Sequence, residues 1–234
     1  LMPKQKLPHK NFIWKPELAY AIGLLVTDGN LSKDGRHINF RSSEIDLLNT
    51  FKKCLNLKNK IGHTDNQRGY RVQFGNVQFY NWLLKIGLTP AKTHTIGEIK
   101  IPDLYFRDFL RGHLDGDGSI TAYTDRYNIY RGRTYVNKRL FVRFTSASEI
   151  HTNWLYKKIN TILGIKGAVI YKPPATPNRV PMRDIKFAKK ESIKLLQQIY
   201  YKNDLPCLKR KRVIAEKAMG KIIKEKRRKY TRIK

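Results

Sequence analysis

Two apolar helices that each stop at an Asp-Gly pair, roughly 90 residues apart, constrain this chain more than any other feature. The first reads LAYAIGLLVTDG (18–29) and the second YFRDFLRGHLDGDGSI (105–120). A glycine just past a helix can take the left-handed conformation that closes it, which predicts helix ends at Gly29 and Gly118. An aspartate there is electrostatically misplaced, because the helix macrodipole disfavours an anion at its C-terminus by about 0.3–1 kcal/mol. Asp28 and Asp117 repeat that cost in a chain with 48 basic and only 18 acidic residues. A divalent cation between them reverses its sign. Gly23 and Thr27 recur four apart on the first helix, as do Gly112 and Gly116 on the second. Four apart is one helix face. Small residues there let two backbones approach closely and bring the two aspartates together.

The segments that follow each helix repeat in order. After the first come a strand (37–41), a helix (43–57), a strand (70–74) and a helix (77–88). After the second come Tyr/Arg-rich strand sequence, clearest at 139–145, a helix (148–165), strands at 167–172 and 183–187, and a helix (190–201). Strand positions follow from apolar alternation: Ile38 and Phe40 oppose His37, Asn39 and Arg41, and Leu140, Val142 and Phe144 oppose Arg139, Phe141 and Arg143. The pattern predicts a tandem duplication, 1–100 and 101–234, whose units share one core or pack side by side. Loop insertions are expected at 123–138 and at the Pro-rich 173–182. The last dozen residues, IKEKRRKYTRIK, read as a basic tail that orders only on nucleic acid.

The net charge is +30, which destabilises an isolated fold by self-repulsion and calls for a polyanionic partner. With 41% hydrophobic and 11% aromatic residues, the chain has the material of a real core and is no disordered basic tail. No stretch approaches the roughly 18 apolar residues of a membrane span, and the N-terminal residues do not read as a signal peptide. Cys54 and Cys207 sit among apolar neighbours and read as reduced thiols of an intracellular protein.

Ala21–Gly29 (AIGLLVTDG) and Leu110–Gly118 (LRGHLDGDG) resemble the two motifs of a monomeric LAGLIDADG homing endonuclease, and the resemblance extends over about 17–219. The second copy keeps both acids, Asp115 and Asp117; the first has Val26 where the first acid stands. The resemblance implies an α+β fold of tandem pseudo-symmetric αββαββα repeats. The motif helices pair at the centre, and two antiparallel sheets form a saddle over double-stranded DNA. It implies a monomer that cuts both strands across the minor groove with Mg²⁺, leaving short 3′ overhangs, with Mn²⁺ or Ca²⁺ able to substitute in binding. Asp28 and Asp117 are then the metal ligands, joined by the neighbouring backbone at Thr27 and Gly116. Lys92 and Lys211 match the lysine near the catalytic water network, and Glu44 and Ser148 a polar, solvent-ordering position.

Polar strand faces offer the DNA-binding candidates Arg41, Arg71, Gln73, Tyr130, Arg131, Arg133, Lys138, Arg139, Arg143 and Lys186. Arg and Gln suit base edges, whereas Lys and Tyr reach phosphates. His113 has Leu24 as its counterpart and reads as a partly buried or surface helix residue. The histidines and cysteines show no zinc spacing. The alternatives are an intron RNA maturase and a non-catalytic DNA-binding protein on the same fold. A generic basic RNA-binding protein does not explain the paired aspartates, and an intein-embedded form is not expected.

Overall fold

A computed structural model describes residues 12–64, 69–130, 133–174 and 176–230, with the side chains of 128–130, 133–135 and 221–230 outside the description. The first half runs α1 (Pro16–Asp28), β1 (Gly29–Leu31), β2 (His37–Ser42), α2 (Ile45–Leu55), β3 (Ile61–His63), β4 (Tyr70–Gly75) and α3 (Val77–Lys85). The second runs α4 (Phe106–Asp115), β5 (Ser119–Tyr130), β6 (Arg133–Ser146), α5 (Glu149–Leu163), β7 (Ala168–Lys172), β8 (Met182–Phe187) and α6 (Lys189–Ile199). A further helix, α7 (Lys209–Tyr230), follows. Each half is therefore αββαββα. Each sheet is antiparallel with the same strand order, β1-β2-β4-β3 and β5-β6-β8-β7.

Local chemistry accounts for these boundaries. Pro16 opens α1, where its missing N–H costs nothing. The Asn76 side chain caps α3 by accepting from the Phe79 N–H at 2.9 Å. Asn56 and Gly164 close α2 and α5 in the left-handed conformation. Inward residues of both sheets, including Ile38, Phe40, Val72, Val142, Phe144 and Phe187, are buried with α1 and α4 in one continuous core. Asn39, which alternation puts on the polar face, is also buried, with its Nδ2 donating to Ser32 Oγ at 3.3 Å.

The structure corrects several sequence expectations. Gly29 closes α1 at φ −84°, whereas α4 ends short of Gly118, at Asp115 with Gly116 as its cap, and neither Gly29 nor Gly118 is at positive φ. Their glycine character has a different cause. A Cβ on Gly29 would lie 2.5 Å from the Leu25 oxygen, and one on Gly118 2.7 Å from the Leu114 oxygen, because the chain turns back tightly on its own helix. Residues 123–138 are no loop insertion: most belong to the long β5–β6 hairpin, whose register shifts between Asp125 and Asn128. The basic tail continues α7 as far as Tyr230.

Among the described residues Arg111 is the largest fully buried side chain, and nothing in the sequence pattern singles it out. It donates to the carbonyls of Pro206 (2.8 Å) and Ile199 (2.9 Å) and to Asp108 Oδ1 (2.7 Å), and its guanidinium lies 5.4 Å from the Tyr20 ring centroid. It thereby ties α4 to α1 and to the segment entering α7. Arg111→Met leaves Asp108 buried without its cation, and breaking such a pair costs about 3–5 kcal/mol. A urea titration is expected to show that loss, with Asp108→Asn in the same chain recovering part of it.

Candidate functional site

α1 and α4 meet backbone to backbone. A Cβ built on Gly23 would lie 2.2 Å from the Phe109 oxygen, and one on Gly112 2.1 Å from the Tyr20 oxygen. One turn further on, a Cβ on Gly116 would lie 1.9 Å from Thr27 Oγ1 and 2.8 Å from Asp28 Oδ2. The end of α1 thus lies directly over the end of α4, and the two aspartates converge at the seam. Burial raises the Asp28 pKa to about 6, and the Asp117 carboxylate adds to the rise. Crowding by the surrounding protein also raises Asp117, whereas Lys92 and then Lys211 pull it back. The Thr27 hydroxyl contacts Asp28 Oδ2 at 3.3 Å.

Lys92 and Lys211 come to matched places at this seam, both buried. Lys92 Nζ donates to the carbonyls of Thr27 (3.0 Å) and Gly29 (2.7 Å). Lys211 Nζ reaches the carbonyls of Leu114 (2.7 Å), Asp115 (2.8 Å), Gly116 (3.1 Å) and Gly118 (2.7 Å). Each ammonium therefore binds carbonyls at and just beyond the end of its motif helix, where intrahelical donors run out. Each also places a positive charge where the macrodipole is negative. Burial lowers both lysine pKa values, and nearby carboxylates oppose the shift. The carbonyls of Thr27 and Gly116 accept from these lysines, and each carbonyl retains a second lone pair.

Asp115 does different work from Asp117. It is buried, and its Oδ2 accepts from the Tyr20 hydroxyl (2.9 Å) and from the Leu208 N–H (2.7 Å) just before α7. It fixes the start of the helix that carries Lys211. In the first half, Lys92 lies instead in a turn, where Ala91 takes φ 52°, so no helix start needs an acid and apolar Val26 suffices.

Two expected site residues are employed elsewhere. Ser148 is buried as the α5 cap: its hydroxyl accepts from the His151 N–H (3.3 Å) and donates to the Ile96 carbonyl (2.6 Å). That arrangement corrects the solvent-ordering expectation. Glu44 Oε1 accepts from Arg210 Nε (3.1 Å) and Nη2 (2.5 Å), joining the two halves beside Lys211. His113 is not a surface residue but is buried and stacked on His151, with Nε2 atoms 3.1 Å apart. The carbonyl of Gly97, 2.8 Å from His151 Nδ1, only accepts, so that nitrogen carries the proton and His151 Nε2 accepts from His113. Burial lowers His113 strongly and takes His151 to about 4, so both rings stay neutral.

The donor set fits a hard divalent ion. Asp28 and Asp117 are oxygen ligands that repel each other in a crowded site, and a cation between them relieves that repulsion. Among the described residues no group of three or more His, Cys, Asp or Glu side chains could hold a metal. An ion at this seam would rest on the two carboxylates, the neighbouring carbonyls and solvent.

The outer sheet faces flank the seam. Arg41 stands directly opposite Arg71, and Asn39 opposite Gln73. Like charges in direct register are unfavourable without an anion. On the second sheet Arg139, Arg143 and Lys186 share the outer face: Arg143 pairs with Lys186, and Arg139 is held by Asp125 at 3.0 Å. Lys138 does not belong with them. It has the parity of buried Leu140, opposite to that of Arg139 and Arg143 along the same strand. Arg131 and the side chains of Tyr130 and Arg133 lie outside the described residues. The register also brings in Asn30, Tyr123 and Phe141, which a search for basic residues passes over. No helix among the described residues is long and apolar enough to cross a membrane.

Comparison of shape finds the chain similar to full-length DUF199/WhiA from Thermatoga maritima, with TM-score 0.55 and 16% identity over 93% of this chain. It spans only 63% of that protein's length. It is also similar to the LAGLIDADG meganuclease I-AabMI, solved bound to uncleaved DNA (TM-score 0.58, 14% identity, 91% of this chain and 92% of that one). The I-LtrWI LAGLIDADG homing endonuclease, solved bound to target DNA, matches with TM-score 0.53 and 14% identity over 89% of this chain and 96% of its own. No family model matches the chain, and no curated protein matches it by sequence. At these identities the likeness establishes the fold, the tandem αββαββα arrangement with two antiparallel sheets.

Proposed function

We propose that this chain is a site-specific endonuclease of the homing type. It binds a long duplex DNA target as a monomer and makes an Mg²⁺-dependent double-strand break with short 3′ overhangs. The convergence of Asp28 and Asp117 between two basic β-faces carries this reading, because a binding protein gains nothing from two repelling carboxylates at its centre. A divalent ion held by Asp28 and Asp117, with the Thr27 and Gly116 carbonyls nearby, would lower the pKa of attacking water and stabilise charge on the leaving 3′ oxygen. The protein's own work is positional. The glycine seam fixes the spacing of the carboxylates. Lys92 and Lys211 hold the turns that carry them. The outer sheet faces orient the duplex and lose affinity as salt rises.

The test is incubation of the purified chain with a plasmid library of randomised inserts, with Mg²⁺ or with EDTA. Recovery of linearised plasmids sharing one sequence, in Mg²⁺ only, is the expected result. Sequence-specific binding without cutting would make it a non-catalytic DNA-binding protein, and selective retention of structured RNA would make it a maturase.

The pH profile follows from the sign of the Asp28 shift. Its folded pKa, about 6, exceeds the ordinary value of 3.8, so the folded state holds more protons between these limits. The contribution of Asp28 to stability is then fully present below about pH 4 and is lost as pH rises through about 6. Without metal, the Tm difference between wild type and Asp28→Asn is expected to move against wild type from pH 5 to 7.5. Mg²⁺ should raise the wild-type Tm more at pH 7.5 than at pH 5, and differential scanning fluorimetry checks both trends.

A further inference from the structure

Two residues beyond each aspartate the chain enters a sheet, and strand register dictates what stands beside it. Asp28 leads to Asn30, which pairs with Asn39, which pairs in turn with Gln73. Asp117 leads to Ser119, which pairs with Arg143, which pairs with Lys186. The rows occupy equivalent places, because β1-β2-β4 in one sheet corresponds to β5-β6-β8 in the other. Neighbours of the row residues along the strands, Ile38, Phe40 and Val72 in one half and Ile120, Val142 and Phe187 in the other, are buried. Side chains alternate across a strand, so both rows belong to the outer faces. Each row crosses three strands, a span of about 10 Å at about 4.8 Å per strand.

The matched rows differ in chemistry. Asn30 and Gln73 are exposed amides, each with a donor and an acceptor side by side. That pattern complements N7 and the N6 amino group of adenine. Arg143 and Lys186 offer donors only, and donors alone complement N7 and O6 of guanine. The two cations are held together over one ring: Lys186 Nζ lies 4.3 Å and Arg143 Cζ 5.8 Å from the Phe141 centroid.

We propose that the chain recognises an asymmetric target, with adenine read by Asn30 and Gln73 in one half-site and guanine read by Arg143 and Lys186 at the mirror-related steps of the other. This rests on the DNA-binding reading and adds base preference to it. The steps concerned flank the centre on either side, because a cut across the minor groove turns the central major-groove edges away from the seam.

The test is selection of random duplex DNA by gel shift with the full chain in EDTA, so that duplexes stay intact. The expected motif carries adenine on one side of its centre and guanine at the equivalent steps on the other. Asn30→Ala with Gln73→Ala should relax the adenine steps alone and weaken the original site about tenfold to a hundredfold. Arg143→Ala should relax the guanine steps alone. Gln73→Lys should shift its adenine step toward guanine and bring the motif closer to a palindrome. A palindromic wild-type motif, or adenine steps indifferent to the Asn30 and Gln73 changes, would overturn this assignment while leaving DNA binding intact. Failure of any duplex to enrich would instead overturn the nuclease reading and this assignment with it.

Discussion

Asp117→Asn is expected to bind the selected duplex with wild-type affinity and to lose cleavage by at least about a thousandfold, the scale set by removal of a group that stabilises transition-state charge. Asp28→Asn should do the same. The asparagine side chain keeps its shape and one oxygen but loses the charge that would hold the ion. Stability should move the opposite way. Each aspartate raises the energy of the other across the seam, so a neutral amide at either position should raise the metal-free Tm at pH 7.5. Lost activity with gained stability is the signature of a functional site that the fold sustains at a cost. A plain structural role predicts the reverse pair of signs. Supercoiled plasmid separates the outcomes: full double-strand cutting by either variant refutes the assignment. A nicked circle confined to one strand would show that the two halves act in part independently.

Much of this site was legible in the sequence because its signals are local. The Asp-Gly pairs, the small residues four apart and the repeated order of elements can all be read within single segments, and each reappears in the structure. The residues that sequence missed or misplaced depend on long-range closure. Arg111 looks like a charged residue on a helix face; only the approach of Ile199 and Pro206 from the far end of the chain makes it a buried clamp. Lys92 and Lys211 can be found by position. That they bind helix-end carbonyls requires knowing which helix lies beneath them. Ser148 falls at a strand–helix junction, where capping and solvent ordering use the same hydroxyl. The β5–β6 hairpin hid behind Tyr/Arg alternation and an irregular register, which together imitate a loop. Lys138 was placed by residue type, whereas parity with Leu140 sets its face.

Gly23→Ala should be among the most damaging single changes in the molecule, although in an ordinary helix it would be favourable. Replacing glycine by alanine in a helix interior gains about 1 kcal/mol from backbone entropy. At Gly23 the new methyl would meet the Phe109 oxygen at 2.2 Å and the His113 nitrogen at 2.7 Å. Both are backbone atoms, so no rotamer change can relieve the contact and α1 must move away from α4. Neighbouring contacts on both helices go with it, including the Tyr20–Asp115 hydrogen bond and the stacking of Arg111 on Tyr20. A loss of about 3 kcal/mol or more is expected, beyond the usual range for overpacking, because two backbones rather than one side chain must give way. Gly112→Ala should behave alike, since its methyl would meet the Tyr20 oxygen at 2.1 Å. Gly220→Ala on α7 supplies the contrast: its methyl would have nothing within 4 Å, so the same substitution should be neutral or stabilising. Denaturant midpoints of the three variants decide the matter, and a Gly23→Ala chain as stable as wild type would mean that the helices do not meet as closely as the seam requires. At temperatures where some Gly23→Ala chain remains folded, cleavage should fail before duplex binding does, because separating the helices moves the two carboxylates apart while leaving the outer sheet faces in place.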